Sequence, residues 1–530
     1  MRGMYADAQV VHTEPIASSV QPEEKMFSAT VDSHMSAEPL RVPQKEGAAP
    51  PAVDIFGFDT LQNGDSVAFE TETRPVSKVH MREKAIPSTQ IGRMMGFGSL
   101  GVRMAMGMAA ENVVGAFSGS KSSSSSGYSL SDENAERLAE TLCRMRGAAL
   151  KIGQMLSVSE EGMLPPSLAK ALDRVKQNAD YMPLHQLNSQ LAANLGSDWR
   201  SSFKEFNETP LAAASIGQVH RAVLLDGTEV AVKIQYPGVA KSIVSDLSNL
   251  KTLVTLTNLI PRGLFIDEII RVASVELGEE CDYRKEAAYQ MRYRALVQED
   301  KTVLSKYTYV PKVFEDLTTD MVITSEFVKG VSIDKSSVLP QDVRNAIART
   351  MLVLTMREVF SWHFVQSDPN FANFLYDHNN KRVNLIDFGA SRDYSKAFCD
   401  GYMELVWAAA NKDRDTVLKV SIRLGFLTGD ENKEMKDAHV DAALVVGEPF
   451  LTSDPYDFGN STLTKKISQY GSTFMKYRLT PPPTEAYSLH RKLAGAFMLC
   501  IKLRAIIPCR DILESTYNNY PWETAKETTA

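Results

Sequence analysis

Three side chains stand at a spacing that suits phosphate chemistry. Asp368 and Asn373 occupy a D-x-x-x-x-N frame within QSDPNFANFL (366–375), and Asp387 opens a D-F-G within VNLIDFG (383–389). Asp368 can accept a hydrogen bond from an incoming hydroxyl or water. Asn373 and Asp387 offer the hard oxygen ligands that Mg²⁺ takes when it bridges nucleotide phosphates. A cation to meet those phosphates is available in Lys233, which ends the run VAVK (230–233). A lone D-F-G is weak evidence, because chance alone produces it in long chains. The joint spacing of Lys233, Asp368, Asn373 and Asp387 carries the assignment.

The elements around these residues agree with it. Val219, Val223 and Leu225, then Asp226-Gly227, then Val230, Val232 and Ile234 predict a β-hairpin that carries Lys233 on its second strand. Just upstream, AAASIGQV (212–219) has the length and place of a kinase phosphate loop, G-x-G-x-x-G-x-V. Ala212 and Ala214 replace its first two glycines, Gly217 keeps the third, and Ala213 and Ser215 fill the frame. A Cβ resists positive φ, so this loop should be stiffer and turn its N–H groups differently. A short β segment is expected at 321–328 (MVITSEFV). Helical periodicity governs 132 onward, with a helix that Asp132 can cap, segments near 166–178 and 184–195, and then 240–300. A long helical region follows, broken at 366–390, and the tail from about 395 to 510 is mostly helical.

Composition removes several classes of function. The 530 residues are 44% hydrophobic and 23% charged, an ordinary globular mix, with mean hydropathy −0.20. That excludes a wholly disordered or collagen-like chain and argues against a polytopic membrane protein. Net charge is −7, so the positive field of a general nucleic-acid binder is absent. Cys143, Cys281, Cys399, Cys500 and Cys509 form no C-x-x-C pair, which argues against a disulfide framework or zinc cluster and for a reducing compartment.

The start of the chain, 1–88, is rich in Pro, Ser, Glu and Ala and is expected to be disordered. Asp7, Glu14, Glu23 and Glu24 stand against Arg2 and Lys25, so no clear transit peptide is seen. Residues 91–117 (IGRMMGFGSLGVRMAMGMAAENVVGAF), within a segment spanning 89–118, are the most apolar long stretch. Arg93, Arg103 and Glu111 interrupt it, leaving it short of a span of about 18 uncharged residues. Gly92 and Gly96, then Gly101, Ala105 and Ala109, recur four apart. That suits either a membrane-contacting or dimerising helix or a soluble helix with a small-residue packing face. A Ser-rich linker follows at 119–131.

Four further segments complete a resemblance. KIGQ at 151–154, ECD at 280–282 followed by Tyr283 and Glu286, the AAASIGQVH loop, and LTPPPTEAYSLHRKLAGAF at 479–497 are similar to signatures of the UbiB family of atypical protein-kinase-like proteins, also called aarF-domain kinases. The resemblance implies an α+β, atypical protein-kinase-like two-lobe fold. Its parts are a helical extension over the active site at 132–205, a small lobe at 206–328 and a helical large lobe at 329–530. It implies ATP or ADP and Mg²⁺ as cofactors. Lys233 would contact the α- and β-phosphates and pair with Glu286, beneath a loop of Ala212, Ala213, Ala214, Ser215 and Gly217. Glu326 to Val328 would form the hinge against adenine. Lys151 and Gln154 would lie in the helix over the cleft, with Lys151 facing Glu280 and Asp282. Asn373 and Asp387 would hold the metal, and Asp368 would be catalytic.

The 91–117 stretch resembles the Gly-rich membrane helix of the mitochondrial coenzyme Q branch. That implies action at the inner membrane, matrix side, with coenzyme Q biosynthetic enzymes and quinone precursors or membrane lipid as partners. It also allows a homodimer through 91–117. Nucleic acid is not an expected partner. The departures from protein kinases are informative. Gln366 and Ser367 replace the usual His-Arg, no A-P-E follows Asp387, and 397–410 looks helical at once. A chain with the nucleotide and metal residues but little peptide platform is expected to be an ATPase of ubiquinone biosynthesis. A small-molecule or protein kinase is the first alternative. A nucleotide-binding pseudokinase scaffold is the second, disfavoured by the intact Asp368, Asn373 and Asp387.

Overall fold

The computed structural model describes Ser99 and residues 181–257, 266–300, 302, 304–368 and 370–522. The expected disordered start, the 89–118 helix apart from Ser99, the Ser-rich linker and the 132–180 part of the helical extension, with Lys151 and Gln154, lie outside them.

Helix α1 (Leu184–Leu195) matches the expected segment. Leu187 and Leu191, four apart on one face, are buried in the same core as Val230, Val232 and Ile234. This helix therefore packs as part of the small lobe. Strands β1 (Phe203–Phe206), β2 (Ala212–Ala213), β3 (Gly217–Leu224) and β4 (Glu229–Gln235) follow. The hairpin turns at Asp226-Gly227 as the sequence predicts: Gly227 has φ +90°, and Asp226 Oδ1 accepts the Thr228 N–H at 2.8 Å. Along β4 the alternating Val230, Val232 and Ile234 point into the core, which turns Lys233 to the opposite face.

The expected helix at 240–300 is three helices, α2 (Val239–Thr257), α3 (Ile266–Glu280) and α4 (Tyr283–Glu299). The break between α3 and α4 falls in the E-C-D motif. Asp282 leaves helical geometry (φ −101°, ψ 94°) and its carboxylate accepts the Lys285 N–H, restarting the helix. Strand β5 (Thr308–Tyr309) runs to the large lobe, and β6 (Val322–Glu326) returns to pair with β4. The small-lobe sheet is antiparallel in the order β1-β3-β4-β6, with β2 extending along β3.

The large lobe starts with β7 (Val331–Ser332) and α5 (Gln341–Arg357), which passes into a wider π turn over Glu358–Trp362. Four short strands then fill what the sequence marks only as a helical break: β8 (Phe364–Gln366), β9 (Phe374–Asp377), β10 (Arg382–Leu385) and β11 (Ser391–Asp393). One sheet has the order β5-β10-β9-β7, and β8 pairs separately with β11. The lobe's longer helices after these strands are α6 (Lys396–Ala410), α7 (Arg414–Arg423), α8 (Lys433–Gly447), α9 (Thr484–Lys502) and α10 (Arg510–Asn518), with two short helices, Leu463–Ser468 and Gly471–Tyr477, between α8 and α9. The helix at α6 begins where the sequence lacks the peptide-docking segment.

Helices α6 and α8 approach closely at one glycine. A Cβ on Gly447 would lie 2.6 Å from the Ala409 carbonyl carbon and 2.8 Å from the Ala410 nitrogen. Gly447→Ala pushes against rigid backbone, so we expect a loss of roughly 1–3 kcal/mol, measurable by urea unfolding.

Candidate active site

The sequence-distant charged residues meet behind the small-lobe sheet. Lys233 Nζ donates to Glu286 Oε1 at 2.7 Å and Oε2 at 3.0 Å, and to Asp387 Oδ2 at 3.2 Å. Glu286 reaches it because Asp282 caps α4, placing Glu286 in the first turn, and the carboxylate is only 3% exposed. Burial opposes the charge on Lys233, but Asp387 and Glu286 outweigh it and hold the ammonium well above the usual lysine range. Glu286 is pushed up to about 7 by burial; Lys233 pulls it back and Asp387 adds repulsion. Two carboxylates thus share one lysine, an arrangement that extra positive charge would complete.

This carries a pH prediction. Glu286 takes its proton near 7 when folded, against 4.5 for a free glutamate. Between those values the folded chain binds more protons than the unfolded one, so its stability falls as pH rises through that window. Urea midpoints measured across it should fall, and in Glu286→Gln that part of the slope should vanish.

The loop bearing Asp368 is tied to the segment after Asp387. Strands β8 and β11 are antiparallel, with Ser391 opposite Gln366. Ser367, standing where arginine is usual, donates to the Ala390 carbonyl from both its N–H (3.1 Å) and its hydroxyl (2.8 Å). Asn373 Nδ2 donates to Asp368 Oδ2 at 3.2 Å. The Ile386 N–H donates to the Asn373 carbonyl at 3.1 Å, which holds Asn373 beside the D-F-G. Asp387 Oδ1 accepts the Gly389 N–H at 3.1 Å. Phe388 is fully buried, its ring 5.0 Å from that of Tyr293 on α4.

Glu280 belongs to the same centre. A Cβ on Gly389 would lie 3.4 Å from Glu286 Oε2, 3.6 Å from Asp387 Oδ1 and 3.6 Å from Glu280 Cγ. Two carboxylate oxygens and the Glu280 side-chain stem therefore gather around one glycine. Asp282 is exposed, and its carboxylate caps α4. Between them Cys281 is no nucleophile, since burial pushes its thiol up to about 12.

The alanine-rich loop differs from an open phosphate cradle. Ala212 and Ala213 pair in register with Val219 and Gln218, and the Ala214 N–H is used by the Gly217 carbonyl at 2.7 Å. No residue from Ala212 to Gly217 has positive φ, so the alanines fit without strain. Ser215 lies at the tip of this tight turn. At the hinge the Glu326 side chain turns away to accept the Tyr309 hydroxyl at 2.5 Å, and the Phe327 N–H donates to the Glu229 carbonyl at 3.0 Å. For the adenine contact that the resemblance implies, this leaves the segment's backbone groups and the half-buried Val328 side chain.

Two buried charge clusters escape sequence reasoning. Glu276 on α3 receives Arg491 of α9 at 2.7 Å and Arg392 of β11 at 3.2 Å. Burial opposes the charge on Arg491, while Glu276 and nearby Asp368 hold it above the usual arginine range. An arginine from the far end of the chain thus stands near Asp368 where Ser367 replaces the local one. Glu358, in the π turn, pairs with Lys492 at 2.5 Å and accepts both the Tyr293 hydroxyl and the Gln366 N–H. The RK of the 479–497 motif was the available signal, but nothing in sequence names its partners.

The geometry fits a nucleotide phosphate site. Among the described residues no cluster of three or more His, Cys, Asp or Glu could hold a metal ion by itself. The Ile386 N–H to Asn373 carbonyl bond nonetheless brings the segments of Asn373 and Asp387 together, and both side chains carry hard oxygens of the kind that Mg²⁺ takes jointly with phosphates. Residues 174–421 match the ABC1 atypical kinase-like domain. The chain is 44% identical to the mitochondrial atypical kinase COQ8B of Rattus norvegicus, over 87% of each chain. It is 45% identical to its Danio rerio counterpart, over 83% of this chain and 70% of that one. The solved Mycobacterium tuberculosis protein Rv3197, in complex with erythromycin, has the same fold, with TM-score 0.51 and 24% identity over 73% of this chain and 96% of its own.

Proposed function

Since the chain belongs to the ABC1 (UbiB) family of atypical kinases, we propose that it is an Mg²⁺-dependent ATPase of coenzyme Q biosynthesis. The observation that carries this is the Lys233–Glu286–Asp387 triangle, assembled beside the Asp368–Asn373 pair. Asp387 and Asn373 would hold Mg²⁺, which supplies the positive charge that offsets the phosphates. Lys233, kept charged by its two carboxylates, meets the phosphate chain. Asp368 orients the attacking oxygen, and the Asn373 amide fixes the carboxylate that does so. Arg491, through Glu276, positions the surrounding segment.

Transfer to water is favoured because α6 begins at Lys396, leaving little platform for a peptide after the D-F-G. A small-molecule kinase is the second reading, since Asp368 serves a hydroxyl as well as water. Labelled γ-phosphate appearing on an extracted molecule would favour it.

The relatives carry "mitochondrial" in their names, which supports a mitochondrial setting. The inner membrane's matrix side, contact with quinone precursors or lipid, partnership with coenzyme Q enzymes and a homodimer through 91–117 are finer readings that rest on the resemblance. Among the described residues no helix is long and apolar enough to cross a membrane. The test is growth rescue: the chain should restore quinone content in cells lacking their family member, and Asp387→Asn should not. Equal rescue by both would overturn the catalytic reading, and rescue by neither would overturn the assignment to quinone synthesis.

A further inference from the structure

Tyr283, between the Asp282 cap and Glu286, has no part in the chemistry described so far. Its side chain is fully buried, and its backbone N–H donates to the Asp320 carbonyl at 3.1 Å. Lys233 Nζ stands over its ring, 5.2 Å from the centroid, a distance at which a cation is attracted to the aromatic face. The hydroxyl points up under the alanine-rich loop. A Cβ on Gly217 would lie 2.7 Å from it and 2.6 Å from the Ile234 carbonyl oxygen. Glycine at 217 therefore leaves the space that this oxygen occupies.

The hydroxyl has no hydrogen-bond partner. A buried, unpaired phenol destabilises a fold, and phenylalanine would fill the same volume without that cost. Gly217 shares a face of the sheet with Val219, and Val219 lies opposite Lys233 in the β3–β4 register. The donor is thus placed between the loop and the lysine that meets the phosphates.

We propose that Tyr283 is a nucleotide-binding residue: its hydroxyl donates to a phosphate oxygen beneath the alanine-rich loop, and its ring holds Lys233 in place. This rests on the nucleotide reading above. Lifting the loop over a phosphate chain would supply the acceptor that the hydroxyl lacks. The same loop lacks the flexible glycines that would otherwise wrap the phosphates with backbone N–H groups, so a side-chain donor from below compensates.

Tyr283→Phe keeps the ring and the cation contact and removes only the donor. We expect the variant without nucleotide to melt at or above the wild-type temperature. Its Kd for Mg-ATP, by titration calorimetry, should rise roughly ten- to a hundredfold, the worth of a hydrogen bond to a charged acceptor. Unchanged Mg-ATP affinity overturns the proposal. So does a variant that melts well below wild type before nucleotide is added, because the hydroxyl then serves the fold. A wild-type chain that binds no Mg-ATP overturns the nucleotide reading itself, and this proposal with it.

Discussion

Asp387→Asn abolishes Mg²⁺-dependent nucleotide binding while leaving the chain folded. Oδ1 of Asp387 accepts the Gly389 N–H, and an asparagine oxygen can keep that bond. The negative charge beside Lys233 disappears, and with it the anionic ligand a divalent cation needs. Lys233 keeps Glu286 as its partner, so the small lobe retains its internal ion pair. Phosphate hydrolysis should fall by at least about a hundredfold, since a preorganised charge at the reacting phosphates is lost. Thermal stabilisation by Mg-ATP should vanish as well. If the variant is stabilised by Mg-ATP as strongly as wild type, Asp387 is no metal ligand.

Glu358→Ala should be the most damaging single change to the fold. Glu358 is wholly buried, and the side chain of its partner Lys492 is only 5% exposed. Removing one member of such a pair strands the other charge in a low dielectric, which costs about 3–5 kcal/mol. Tyr293 and the Gln366 N–H lose their acceptor at the same time. Pairing the change as Glu358→Leu with Lys492→Met removes both charges and should recover most of the loss. Urea unfolding of the single and double variants tests this. A single variant within about 1 kcal/mol of wild type would mean that water reaches Lys492.

The residues of the candidate site could be singled out because their signals are local. The Asp226-Gly227 turn fixes the hairpin and hence the face on which Lys233 lies. The D-x-x-x-x-N and D-F-G segments lie close in sequence and are joined by the β9–β10 hairpin. The strands of that hairpin were not anticipated, because runs of four residues amid helical periodicity carry little period of their own. Of the two breaks within 240–300, the first contains Pro261 and Gly263, a breaker signal that was present in the sequence, whereas the second was hidden. At Asp282 the capping side chain ends one helix and starts the next without any Gly or Pro to mark it. The Glu276–Arg491 pair joins residues 215 positions apart, and a charged residue in a helical segment reads as a solvated face until the fold buries it. The roles of Lys151 and Gln154 stay with the resemblance that suggested them.

The burial of Phe388 bears on how this protein could be inhibited. A compound that reached the lobe interior by displacing the Phe388 ring would have to occupy the space that the buried ring fills. Here that ring packs on Tyr293, whose hydroxyl is tethered to Glu358. Displacing the ring would remove the packing that backs Tyr293 and its buried bond to Glu358, so such a compound should bind poorly.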